Sequence, residues 1–191
     1  IDQVDLIGGM SATDEPRNLD WLETPDSRQD GDRDREAAEQ PRLPRAPNPE
    51  VFMFNVVSRE PAGFKGEDIL HILLACDLRF GDMGFFHRHE REAGRGPIQF
   101  SVANMMQPGV FDIDNMGDFD TPGLVFFLTL PGPEDMMQAF EYMLETAQAV
   151  SRNLSGDVLD ESRSAVTKQA LDHSRQQIRD LERRMLTQAQ S

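Results

Sequence analysis

Large apolar side chains are sparse up to residue 49 and dense from Val51 onward, and their spacing there changes from segment to segment. Four short runs are rich in β-branched and aromatic residues and predict strands: Val51 to Val57, Met83 to His89, Ile98 to Met105 and Gly123 to Leu130. Gly156 to Leu159 is a shorter strand candidate. Helical spacing appears in GEDILHILLACD, with a stripe of Ile69, Leu70, Leu73, Leu74 and Cys76 and acidic Glu67 and Asp68 in the first turn. A second stripe runs through Met136, Phe140, Met143 or Leu144, Ala147 and Val150, and predicts a helix with Gly132 at its cap and Pro133 at its first position. A third, otherwise polar helix is predicted from about Thr167 to Met185, with Leu171, Ile178, Leu181 and Met185 on one side. Turn residues connect the three central strands, so they must run antiparallel, and the order β-α-β-β-β-α-β-α predicts an α+β sandwich with helices over one face.

Alternation along the strands then raises a question. Successive strand residues point to opposite faces, and the face away from the helices should be polar. Here both faces are apolar. Leu124, Phe126 and Leu128 oppose Val125, Phe127 and Thr129, and Phe52, Phe54 and Val56 oppose Val51, Met53 and Asn55. Gly84 and Phe86 oppose Met83 and Phe85, while Ile98, Phe100 and Val102 oppose Ser101, Ala103 and Met105. The bulkier set should meet the helices. The other combines a small floor, flexible Met walls and Phe anchors, which suits a shallow binding groove. Pattern alone leaves three readings open: buried core, a self-associating face and a ligand groove.

Composition narrows the classes. The first 49 residues are rich in Asp, Glu, Arg and Pro, and we read them as a disordered leader to one domain at 50–191. A net charge of −15, without a dense basic patch, argues against a nucleic-acid partner. Cys76 is the only cysteine, which excludes an intrachain disulfide and suits a reducing compartment. No apolar run approaches the roughly 18 residues of a membrane span. The chain opens on Ile1 rather than Met, so we expect a longer natural protein.

Candidate chemistry is thin. His87 and His89 share a strand face and could begin a metal site, but no third ligand stands at suitable spacing, and we read them as partly exposed histidines at a strand end. An enzyme using the groove would have chiefly Ser101, Thr129 and Gln107 to work with, and no nucleophile motif or phosphate loop occurs. We expect no cofactor and no metal.

The stretches FGDMGFFHRH, GPIQFSVANMMQPGVFD and DFDTPGLVFFLTLP, continuing to GDVLDESRSAVTKQALDHSRQQIRDL, resemble the C-terminal domain of the ZipA family of cell-division proteins. The resemblance implies a split β-α-β fold of the α+β class, in which a six-stranded, mainly antiparallel sheet has three helices on one face and an exposed apolar groove on the other. It implies a non-enzymatic adaptor whose partner is the C-terminal tail peptide of FtsZ, with other division-ring proteins as further candidates. It also implies residence on the cytoplasmic face of the bacterial inner membrane, through an N-terminal anchor absent from this chain, with residues 1–49 as the end of a flexible linker. Carried over by position, the groove residues are Val51, Met83, Phe85, Ala103, Met105, Gln107, Val125, Phe127 and Thr129, and Met53 joins them by parity. Gln107 stands where the best-known relatives have Lys, which implies that a charge contact to an acidic peptide residue is lost or moved. A peptide that loses entropy on binding should bind with affinity on the order of micromolar, raised by avidity on a polymer.

Overall fold

The computed structural model describes residues 48 to 189, so the leader expected at 1–49 lies almost wholly outside the described residues. Strand β1 (Glu50–Ser58) leads through a two-residue strand β2 (Phe64–Lys65) into helix α1 (Gly66–Ala75). Then come β3 (Leu78–Phe80), β4 (Phe86–Arg91), β5 (Arg95–Asn104), the short β6 (Asp120–Thr121) and β7 (Gly123–Leu130). Helix α2 (Met136–Leu154), β8 (Gly156–Leu159) and α3 (Lys168–Ala189) complete the described chain. The main sheet has six strands in the order β3-β4-β5-β7-β1-β8, every pair antiparallel, and β2 pairs with β6 in a separate ribbon.

The helices lie over one face, as expected. Phe52, Phe54, Val56, Phe86, Phe100, Val102, Leu124, Phe126 and Leu128 pack there with Ile69, Leu73, Phe140, Met143, Ala147 and Ile178 in one apolar cluster. Helix α2 buries Met136, Phe140, Met143, Leu144, Ala147 and Val150, the stripe read from spacing. Its start differs from the expectation. Asp135, not Gly132, is the cap, and its carboxylate accepts from the Gln138 N–H at 3.0 Å. A side-chain acceptor satisfies a free helix N–H, which Gly132 could not do. In α1 the stripe is narrower than predicted: Ile69 and Leu73 are buried, but Leu74 is exposed. Helix α3 docks through Ile178, with Leu171 and Leu181 at its margin, while Met185 is exposed. Arg175 clasps Glu141 of α2 and its own Asp172 (Nε to Oε1 2.5 Å, Nη1 to Oδ1 3.0 Å), and these bonds raise its pKa.

Three strand readings need correction. Strand β3 carries too few apolar residues to stand out by pattern, yet it forms a sheet edge. The predicted strand from Met83 begins only at Phe86; Met83 lies in a 3-10 turn, Asp82–Gly84, with φ 62°. The third correction is a bulge. Arg88 pairs with Phe100, but the next residue, His89, pairs with Ile98, which leaves Gln99 as an extra residue in β5. One extra residue reverses the alternation beyond it. Ile98 therefore falls on the face away from the helices, not with Phe100 and Val102.

Candidate functional site

Strand β7 is the axis of the second face. Phe127 is flanked across the sheet by Met53 of β1 and Ser101 of β5, and Val125 by Asn55 and Ala103. Thr129 pairs with Val51 at one end. Ala103 and Val125, both fully buried, form a low floor beside the larger Met53 and Phe127. Phe85 arrives from the turn before β4, and its ring meets that of Phe127 edge to face at 5.6 Å. Val51, Met53, Phe85, Ile98, Ala103, Met105, Val125 and Phe127 form one contiguous cluster, with Val57 and Met83 packed at its margin. Among the described residues, no α-helix contributes to it.

The structure thus brings together most of the residues named from the sequence, but not all alike. Val51, Met53, Phe85, Ala103, Met105, Val125, Phe127 and Thr129 are buried, and Met83 is half-buried. Phe85 and Phe127, at 1% exposure each, are more deeply packed than alternation alone predicts. Gln107 stands apart. It follows β5 in a turn, exposed and off the sheet, ahead of a cis bond to Pro108. Parity arguments do not reach past the end of a strand.

Besides Val57 at the margin, Ile98 and Gly123 of this face escaped the sequence reading. Ile98 was hidden by the bulge. Gly123 was overlooked because it has no side chain: a Cβ there would meet Met105 Cε at 2.5 Å and the Val56 carbonyl oxygen at 2.7 Å. Its bareness lets Met105 lie across the strand. The signal available was its place two residues before Val125, on the same face.

Several polar groups on this face bond within the fold, although the buried Asn55 Oδ1 has no hydrogen-bond partner among the described residues. Asn55 Nδ2 donates to the Asp160 carbonyl at 3.0 Å. Ser101 Oγ lies 2.6 Å from His87 Nδ1, a separation that would suit a nucleophile and its base. Both are buried, however, and the other ring nitrogen of His87 binds the Asp82 backbone carbonyl rather than a carboxylate. His89 is also buried, with Nδ1 at 3.0 Å from the Gly96 carbonyl. The expectation of partly exposed histidines is corrected: bulge and turn fold both rings into the structure. Among the described residues no group of three His, Cys, Asp or Glu side chains could hold a metal ion. No described helix is long and apolar enough to cross a membrane. Burial raises the pKa of the half-buried Cys76 thiol, against a smaller opposing effect of Arg88.

Fold and face together define an α+β domain whose antiparallel sheet is apolar on both sides, with the described α-helices packed on one of them. A family model described as "ZipA, C-terminal FtsZ-binding domain" matches residues 50–177. The chain is 46% identical over 154 residues to the cell division protein ZipA of Stutzerimonas stutzeri, covering 81% of this chain and 56% of that protein. It is 48% identical over 139 residues to the ZipA proteins of Pseudomonas fluorescens (strain Pf0-1) and Marinobacter nauticus. Those matches cover 73% of this chain and 48% and 41% of the two relatives. The chain belongs to the ZipA C-terminal domain family. It spans about half the length of the curated relatives it matches.

Proposed function

We propose that this domain is a cell-division adaptor that binds the C-terminal tail peptide of FtsZ on the apolar sheet face away from its helices. One observation carries the reading: a contiguous apolar cluster, centred on the Phe85–Phe127 pair, lies on a face to which no described α-helix contributes. The family description, which names FtsZ binding, supplies the partner. Apolar side chains of the tail seat over Ala103 and Val125, and hydrophobic burial provides most of the binding free energy. Met53, Met83 and Met105 have three rotatable bonds each and repack to admit the ligand. Linked to the inner membrane by the part of the protein that precedes this domain, such an adaptor tethers the division ring. Gln107, in the turn beyond β5, carries no positive charge, so it offers an acidic peptide residue no ion pair. Calorimetric titration of the chain with the FtsZ tail peptide tests the proposal. Saturable binding that Phe127→Ala removes supports it, and concentration-dependent self-association without peptide binding replaces it.

A further inference from the structure

His87 stands on the same side of the sheet as Phe85 and Phe127, outside the lining set read from the sequence, and its ring has a partner at each nitrogen. Nε2 lies 2.7 Å from the Asp82 carbonyl oxygen and Nδ1 2.6 Å from Ser101 Oγ. A carbonyl only accepts, so Nε2 carries the proton and donates. The neutral ring's Nδ1 then accepts, and the Ser101 hydroxyl donates to it.

The Asp82 carbonyl opens the turn Asp82–Gly84, where Met83 takes φ 62° and Gly84 φ 76°. The left-handed region is unfavourable for a residue such as Met and persists only where surrounding contacts enforce it. The backbone bond that closes this turn, from the Phe85 N–H to the Asp82 carbonyl, is long at 3.3 Å, and the imidazole bond to the same oxygen is much shorter. At the other end of the ring, Ser101 is fixed in the sheet, paired with His87 on one side and Phe127 on the other. The Phe85 ring neighbours both of those rings, 6.3 Å from the imidazole of His87 and 5.6 Å from the ring of Phe127.

We infer that His87 is a positioning residue for the partner site: braced on Ser101, it holds the Asp82–Gly84 turn so that Met83 and Phe85 stand against Phe127. The inference rests on the proposed FtsZ-tail reading of this face. His87 acts through the turn and not by touching the ligand. Its effect on binding must therefore depend on the side chain that the turn delivers.

The test is titration of the full chain with the FtsZ tail peptide, for His87→Ala, His87→Gln and Ser101→Ala, each alone and combined with Met83→Ala. Melting temperatures are recorded for all. With Met83 present, His87→Ala and Ser101→Ala should weaken binding about tenfold. With Met83 already removed, the same changes should cost clearly less, because only Phe85 then remains to be positioned. His87→Gln, whose amide can donate to the Asp82 carbonyl, should recover most of the loss. Ring-nitrogen resonances of the unaltered chain should report a neutral ring protonated at Nε2. Equal losses in both backgrounds, no loss in either variant, or a proton on Nδ1 would overturn the inference. If His87→Ala does not fold, the Ser101→Ala pair decides. Failure of the unaltered chain to bind the peptide overturns the functional reading itself, a result separate from normal binding that ignores His87.

Discussion

Phe85 and Phe127 meet edge to face at 5.6 Å across the intervening strand β5. The contact joins a residue beside a left-handed turn to one in the middle of the sheet. Edge-to-face pairs contribute about 0.5–1.5 kcal/mol beyond the area they bury. On the proposed reading, replacing either ring with Ala lowers affinity for the FtsZ tail at least about tenfold. The double variant loses less than the sum of the single losses, by about 1 kcal/mol, because the rings support each other. A four-protein titration cycle measures that coupling, and strict additivity would show that the rings act independently.

Gly123 is the position where the smallest change should disturb the face most. A Cβ there presses on Met105 and on the Val56 carbonyl, and only Met105 can move aside. Gly123→Ala is expected to lower stability by about 1–3 kcal/mol, in the range of other overpacked sites. Denaturant unfolding measures the loss, and the Met105 methyl resonance should shift in the folded variant.

His87 gives the fold an acid-sensitive component. Burial pushes its pKa down to about 4, with the Asp82 hydrogen bond opposing part of the fall. The unfolded chain binds this proton near the ordinary histidine value of about 6.5. The stability is therefore complete above about pH 6.5 and is lost as pH falls toward 4, by roughly 3 kcal/mol in all. Carboxylates titrate across part of this window as well, so the comparison with His87→Gln isolates the effect. Between pH 4 and 6.5, stability of the unaltered chain should fall more steeply than that of the variant, by up to about one proton in slope. Parallel curves would contradict the assignment.

Much of this architecture is visible in the alternation of β7. Leu124, Phe126 and Leu128 do face the helices, and Val125, Phe127 and Thr129 do face away. Regular strands transmit such parity without loss. Departures from the simple strand pattern sit where regularity breaks. Ile98 changes face at the Gln99 bulge, Met83 belongs to a turn that only a positive φ permits, and Gln107 lies past the end of β5. Strand β3, three residues long, is set by pairing with β4 rather than by its own pattern. The His87–Ser101 bond required knowing which strands are neighbours, since the two residues are adjacent only through the register of β4 and β5.

Adjacent residues with opposite roles offer a sharp control. Phe126 lies in the helix-side core and Phe127 on the other face, both almost wholly buried. Phe126→Ala should cost about 3–5 kcal/mol of stability, as large-to-small core changes do. Whatever fraction remains folded should bind the peptide with unchanged affinity, because the face it leaves intact is the one proposed to bind. Denaturant unfolding and titration of the same sample check both parts.

The most direct measurement is calorimetric titration of the chain with the FtsZ C-terminal tail peptide, with Phe127→Ala and Phe126→Ala run alongside under conditions where all three are folded. Saturable binding on the order of micromolar, lost in Phe127→Ala and kept in Phe126→Ala, is the result this account predicts. Binding that survives Phe127→Ala, or no binding by the unaltered chain, would contradict it.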